Sequence, residues 1–199
     1  VFDYVSPLGN ISDVQLGVPV AINIENGIAA MALAQLSGVS NEDIKTGMAS
    51  FRGVDRRFDF KIKTDKMVYL SDYAHHPEEI KQSILSMRAL YEGKKLTGVF
   101  QPHLYTRTRD FYQEFADSLS LLDEVILTDI YPARELPIEG VSSELIYDNL
   151  RPGMDKTLCK KEEVIDILKE KEIEVLITLG AGDIENYAPQ ICEILNERC

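Results

Sequence analysis

The stretch LTGVFQPHLYTRTRDFYQEFADSLSLLDEVILT, residues 96–128, decides the fold reading. Leu96 to Phe100 is a short apolar run of strand length. From Thr108 to Leu122 the period changes: Phe111, Phe115 and Leu119 fall four apart, on one face of a helix. Glu124 to Thr128 returns to a short apolar run. Strand, helix and strand in succession form a crossover unit, which joins parallel strands.

The alternation continues outward. Upstream, Phe58 to Lys63 and Met67 to Leu70 read as a hairpin around Thr64-Asp65-Lys66. A helix follows from Pro77 to Tyr91, with Ile80, Ile84, Met87 and Tyr91 at helical spacing. Downstream come a short helix (Ser143 to Leu150), a weak strand (Lys156 to Cys159) and a helix (Glu162 to Lys169). A buried strand (Glu174 to Leu179) and a last helix (Ile184 to Asn196) complete the pattern. The expectation is an α/β fold: a mostly parallel sheet covered by helices on both faces. Before Phe51–Val54 the pattern differs. Asn26 to Leu36, rich in Ala and Met, reads as a buried helix. Ser40 to Phe51 reads as a second, with Ser40 as N-cap, Asp43 three residues on, and Ile44, Met48 and Phe51 on one face. Two short helices with a loose lead-in cannot make a full core. Residues 1–53 are therefore expected to be the tail of an upstream domain, and 54–199 a domain of their own. The opening valine likewise suggests a piece of a longer chain.

Composition narrows the function. The chain has 199 residues, 45% hydrophobic and 27% charged, ordinary for a globular domain. Lys and Arg number 21 against 33 Asp and Glu, a net charge of −12. That repels phosphate backbones and anionic lipid, so nucleic acid and membrane are excluded as expected partners. No apolar run spans a bilayer and no signal-peptide pattern occurs. Cys159, Cys192 and Cys199 lack metal-ligand spacing, which fits free thiols in a reducing cytoplasm.

In a parallel sheet, ligands gather outside the carboxyl ends of the strands. Four segments sit there: Ser71 to Pro77, Gln101 to Arg109, Asp129 to Arg134 and Gly180 to Asp183. The three histidines, His75, His76 and His103, all lie in the first two. Pro77 suits a first helical position, and Glu78 and Glu79 suit the positive end of the helix dipole. A neutral imidazole there could accept a hydrogen bond from an ammonium or hydroxyl; the blander alternative is a capping turn that packs locally. His75-His76 could suggest a metal, but adjacent residues rarely converge on one ion, so no metal site is assigned. Thr106 reads as an N-cap that puts Arg107 and Arg109 in the first helical turn. Cations there oppose the dipole at about 0.3–1 kcal/mol each unless an anion is present. Their guanidinium forks suit a carboxylate or phosphate; the alternative is pairing with Asp110 or Glu114. With Thr64-Asp65 as the hairpin turn, Arg57 faces Asp72, as a cross-strand ion pair or as part of a cleft. Gly180-Ala181-Gly182-Asp183 either lets backbone approach a phosphate or makes a tight turn with Asp183 as N-cap. No Walker A sequence occurs.

Several blocks, in order, resemble one family. Gly53 through Arg56-Arg57-Phe58 is followed by Ser71-Asp72-Tyr73-Ala74-His75-His76-Pro77. Phe100-Gln101-Pro102-His103 then runs through Thr106-Arg107-Thr108-Arg109-Asp110. Tyr131-Pro132-Ala133-Arg134-Glu135 and Gly180-Ala181-Gly182-Asp183-Ile184 complete the set. Together they resemble the Mur ligases, with a fainter match upstream at Asn23-Ile24-Glu25-Asn26. The resemblance implies a Rossmann-like C-terminal, amino-acid-binding domain at 54–199, preceded by the tail of a central ATP-binding domain at 1–53. It also implies ATP-driven amide formation, closest to members that add L-alanine to UDP-N-acetylmuramate. ATP phosphorylates the lactyl carboxylate, the alanine amine attacks the acyl phosphate, and phosphate leaves. The cofactors implied are ATP and magnesium, with the P-loop and magnesium ligands upstream, so this chain alone is expected to be inactive. By resemblance, Asn23, Asn26, Arg57 and Asp72 contact ATP. Tyr73, His75, His103 and Arg107, with Arg109, line the amino-acid pocket. No residue of this chain is assigned a catalytic role. Ile22 stands where the family often has histidine, and Leu104 where many members have arginine. The expected partners are these small molecules, and a homodimer is compatible with the sequence. The rival readings are a sibling ligase that adds a tripeptide, which shares the His-His-Pro block, and a non-catalytic nucleotide-binding module. The Thr106 to Arg109 block favours the alanine branch.

Overall fold

The computed structural model describes residues 1–18 and 21–198, and the chain divides into two compact units, Val1–Val54 and Asp55–Cys199. In the first unit β1 (Phe2–Tyr4) and β2 (Ile11–Val14) pair antiparallel, and α1 (Ala21–Leu36) and α2 (Asn41–Ser50) follow. The lead-in is thus not loose: Tyr4, Ile11 and Val14 join Met31 and Ile44 in a small core. Ser40 caps α2, its Oγ accepting the Asp43 N–H at 3.2 Å. Gly27 lets the helices touch, since a Cβ there would lie 2.6 Å from the Met48 methyl. Phe51 does not join the Ile44 face; it is the extended, exposed C-cap residue.

The second unit holds β3 (Asp59–Lys63), β4 (Val68–Asp72), α3 (Pro77–Leu90), β5 (Leu96–Phe100), α4 (Tyr105–Leu119) and β6 (Glu124–Leu127). It continues with α5 (Glu144–Asn149), β7 (Asp155–Leu158), α6 (Val164–Glu170), β8 (Val175–Leu179) and α7 (Ala188–Asn196). The strands form one sheet in the order β3-β4-β8-β5-β6-β7, antiparallel only at the β3 edge. β8 lies between β4 and β5 and is buried along its whole length, as a central parallel strand must be. Side chains alternate between the faces. Val99 and Leu176 pack with Val164, Leu168, Ile191 and Leu195 of α6 and α7. Phe100 packs instead on Phe115 of α4, ring centroids 5.3 Å apart. The sheet is therefore mixed but mostly parallel, with helices on both sides.

Some local expectations shift. The hairpin turn is Asp65-Lys66, because the Thr64 N–H donates to the Met67 carbonyl and the Met67 N–H to the Thr64 hydroxyl, both at 3.0 Å. Lys63 then pairs with Val68, and a bulge between Phe60 and Ile62 leaves Asp59 opposite Ser71. Arg57 consequently does not face Asp72; the Phe58 N–H meets that carboxylate instead. The expected helix from Ile184 starts as a 3₁₀ turn, Ile184–Tyr187, and α7 begins at Ala188 with Pro189 in its first turn. Among the described residues no helix is long and apolar enough to cross a membrane. Cys159 and Cys192 are free thiols, and burial pushes the Cys159 thiol up to about 11. Cys199, Pro19 and Val20 lie outside the described residues, as does the side chain of Ile22.

Candidate functional site

The carboxyl ends of β4, β5, β6 and β8 converge on a ring of aromatic and cationic side chains. Gln101, just after β5, is the hub. Its N–H donates to the Leu179 carbonyl at 3.0 Å, its amide nitrogen to Asp183 at 2.8 Å, and its amide oxygen accepts the Ile184 N–H at 3.0 Å. Gly180 and Gly182 make room for it. A Cβ on Gly180 would lie 2.7 Å from the Gln101 carbonyl, and one on Gly182 would lie 2.2 Å from its amide oxygen. The two glycines thus serve close packing of one loop on another. Asp183 does not cap with its side chain; it pairs with Lys161 and Gln101.

After Gln101-Pro102 the chain presents His103. Its ring stacks on Tyr131 at 5.6 Å and meets His75 edge-on at 6.1 Å. His75 lies against Tyr73 at 5.2 Å, and its Nδ1 is 2.9 Å from the Tyr73 carbonyl. His76 turns the other way and packs on Phe111 at 5.0 Å, the local-packing alternative. Glu79 reaches back to accept the N–H groups of His75 and His76 at 3.0 and 3.1 Å, fixing the start of α3. Arg107 Nη1 lies 3.4 Å from His103 Nδ1. Burial, then the Arg107 charge and His75, pull the His103 imidazole below its ordinary value, so it is neutral at pH 7.

The N-cap of α4 is Leu104, not Thr106, and Leu104 holds a left-handed φ of 74°. A branched apolar residue there is strained. Arg107 stays in the first turn, but Arg109 falls beyond it, exposed and paired with Asp110 at 2.8 Å. The structure therefore brings Tyr73, His75, His103 and Arg107 together and gives Arg109 to a surface partner. Asp72 is turned inward: its carboxylate accepts from the Ser83 hydroxyl and from the Phe58 and Ala74 N–H groups, and burial raises its pKa above the ordinary range. Asn23 and Asn26 lie on α1 of the first unit, where Asn23 donates to the Val18 carbonyl at 3.3 Å and Asn26 is exposed.

Sequence reasoning chose Arg57 and passed over its neighbour. Arg57 is exposed, 5.9 Å from the Tyr73 ring centroid. Arg56 lies over the same ring at 4.8 Å, donates to the Gly182 carbonyl at 3.3 Å, and keeps a buried Nε with no hydrogen-bond partner. A guanidinium on an aromatic face is attracted by the ring quadrupole. No one-dimensional signal separates two adjacent arginines. Tyr131 falls in one of the four strand-end segments and in a family block, but no role was assigned to it from the sequence. Chemically, the ring offers guanidinium charge for an anion and a neutral imidazole beside it, which suits a zwitterion with a carboxylate and an amine. Among the described residues no group of three His, Cys, Asp or Glu side chains gathers as a metal would need.

A family model described as "Mur ligase, glutamate ligase domain" matches residues 56–184. The chain is 79% identical over 197 residues to a UDP-N-acetylmuramate–L-alanine ligase of Phocaeicola vulgatus, covering 99% of this chain and 43% of that protein. It is 60% identical to the enzyme of the same name from Parabacteroides distasonis, covering 98% and 42%. The crystal structure of a UDP-N-acetylmuramate-alanine ligase from Thermotoga maritima superposes with a TM-score of 0.78 at 27% identity, covering 94% of this chain and 40% of that one. The chain thus spans less than half the length of these relatives.

Proposed function

The chain belongs to the Mur ligase family, and from that premise we propose that it is the C-terminal part of a ligase that joins L-alanine to the carboxylate of UDP-N-acetylmuramate. The observation that carries this reading is the pairing of Arg107 with a neutral His103 at the carboxyl end of the sheet. Amide formation from a free carboxylate needs activation, and ATP supplies it as an acyl phosphate from which phosphate later leaves. The protein's contribution is then placement and charge. Arg107 holds the alanine carboxylate. His103, uncharged, does not repel the amine. Tyr131 and His75 wall the pocket.

Residues 1–53 are read as the tail of the ATP-binding domain, with Asn23 and Asn26 near adenine. Arg57 is read as reaching the phosphates and Asp72 as serving the ribose. The magnesium that the family's ATP chemistry implies is read as held by the remainder of the protein. Alone, these 199 residues are expected to lack ligase activity, and the complete reaction is placed in the cytoplasm. The test is phosphate release from ATP by the complete parent protein with UDP-N-acetylmuramate. Release that depends on L-alanine supports the reading; release that requires a tripeptide instead moves the protein to the sibling activity.

A further inference from the structure

α4 begins without a cap of its own. Leu104 has no side-chain acceptor for the N–H groups of the first turn. The acceptor comes from the loop after β6: Glu135 accepts the Thr106 N–H at 3.0 Å and the Thr106 hydroxyl at 2.5 Å, and it also meets the Tyr105 N–H. A tight turn aims it there, with Ala133 at a φ of 50° and the Glu135 N–H donating to the Pro132 carbonyl at 2.9 Å. The same loop grips the other strand end through its backbone. The Tyr131 N–H donates to the Pro102 carbonyl at 2.8 Å, and its carbonyl accepts the Leu104 N–H at 3.0 Å. The loop is thus a two-ended staple, with Tyr131 at one end and Glu135 at the other. The Tyr131 end flanks His103 on both sides, and the Glu135 end holds the residues just before Arg107.

We propose that Glu135 is a positioning residue for the amino-acid end of the site. Its carboxylate oxygens cap the N-terminus of α4 and fix the turn from which Arg107 reaches His103. An incoming carboxylate then meets the guanidinium, because the Tyr105 and Thr106 amides are already taken by Glu135. The inference rests on the function proposed above.

The experiment uses the complete parent protein and compares KM for L-alanine with KM for ATP in Glu135→Ala, Glu135→Gln and Thr106→Val. Glu135→Ala should raise the alanine KM at least about tenfold, the loss of one well-placed interaction, with the ATP KM within about twofold. Glu135→Gln keeps an oxygen for the Thr106 N–H and should stay within about threefold of wild type on both. Equal rises in both KM values, or a Gln variant as impaired for alanine as the Ala variant, would overturn the proposal. Should Glu135→Ala fail to fold, Thr106→Val reads the other side of the same contact: a raised alanine KM alone supports the proposal, and an unchanged one overturns it. A wild-type protein indifferent to L-alanine would instead overturn the proposed function, and this inference with it.

Discussion

The rings of His103 and Tyr131 stack with centroids 5.6 Å apart and planes 21° from parallel, although one follows β5 and the other β6. Neighbouring parallel strands place their carboxyl-end loops side by side, and here an isolated bridge between the two residues locks them in register. The stack holds the imidazole that Arg107 approaches, so its worth should appear in alanine binding. Tyr131→Leu keeps apolar bulk but removes the ring. With aromatic pairs worth about 0.5–1.5 kcal/mol, the alanine KM of the parent protein should rise roughly two- to tenfold. Steady-state kinetics with saturating ATP checks this; an unchanged alanine KM would separate Tyr131 from the pocket.

Gly182 is expected to tolerate no side chain. A Cβ there would meet the Gln101 amide oxygen at 2.2 Å and the Tyr131 Cβ at 2.9 Å, and both neighbours are held by the loops they join. Gly182→Ala should cost about 1–3 kcal/mol, because one loop must move away from the other. Denaturant unfolding measures the loss. Gly153→Ala is a useful contrast: its φ of 78° strains a side chain, but no atom stands within 4 Å of the added methyl.

At the opposite end of the sheet, Glu124 is buried and bonded to two ammonium groups, Lys95 at 2.8 Å and Lys171. Burial pushes its carboxyl up, but Lys171 and Lys95 outweigh burial and hold it below the ordinary value. A depressed folded-state pKa contributes stability above the unfolded pKa, and that contribution is lost as pH falls through the folded one. Glu124→Gln should therefore cost about 1–3 kcal/mol at pH 7, the worth of hydrogen bonds to a charged group. The gap from wild type should narrow below about pH 4. Urea melts of both proteins across pH would reveal it; a constant gap would contradict the assignment.

Much of the architecture was legible, because binary pattern and element length reflect burial directly. The Leu96 to Phe100 run and the Phe111, Phe115, Leu119 spacing mark a buried strand and the helix that covers it. The residues that shape the site were less so. Thr106 has the chemistry of an N-cap, yet the cap position belongs to Leu104 and the capping oxygen to Glu135, which lies in another loop. Propensity describes only what a residue can do locally. The hairpin register moved for a similar reason: the Thr64 hydroxyl carries the turn one residue onward. His75, His103 and Arg107 were found because polar residues at strand carboxyl ends point to a ligand. Arg56 escaped because its distinction from Arg57 is purely one of direction.

The central claim is that Arg107, not Arg109, holds the amino-acid carboxylate, and one kinetic comparison in the parent protein tests it. KM values for L-alanine and ATP should be measured in Arg107→Ala and Arg109→Ala beside wild type. Loss of a charge-assisted bond is worth about 1.5–3 kcal/mol, so Arg107→Ala should raise the alanine KM about 10- to 100-fold and leave the ATP KM within about twofold. Arg109→Ala, which severs only the exposed pair with Asp110, should leave both within about twofold. Equal effects of Arg107→Ala on both substrates, or a larger alanine defect in Arg109→Ala, would contradict the account.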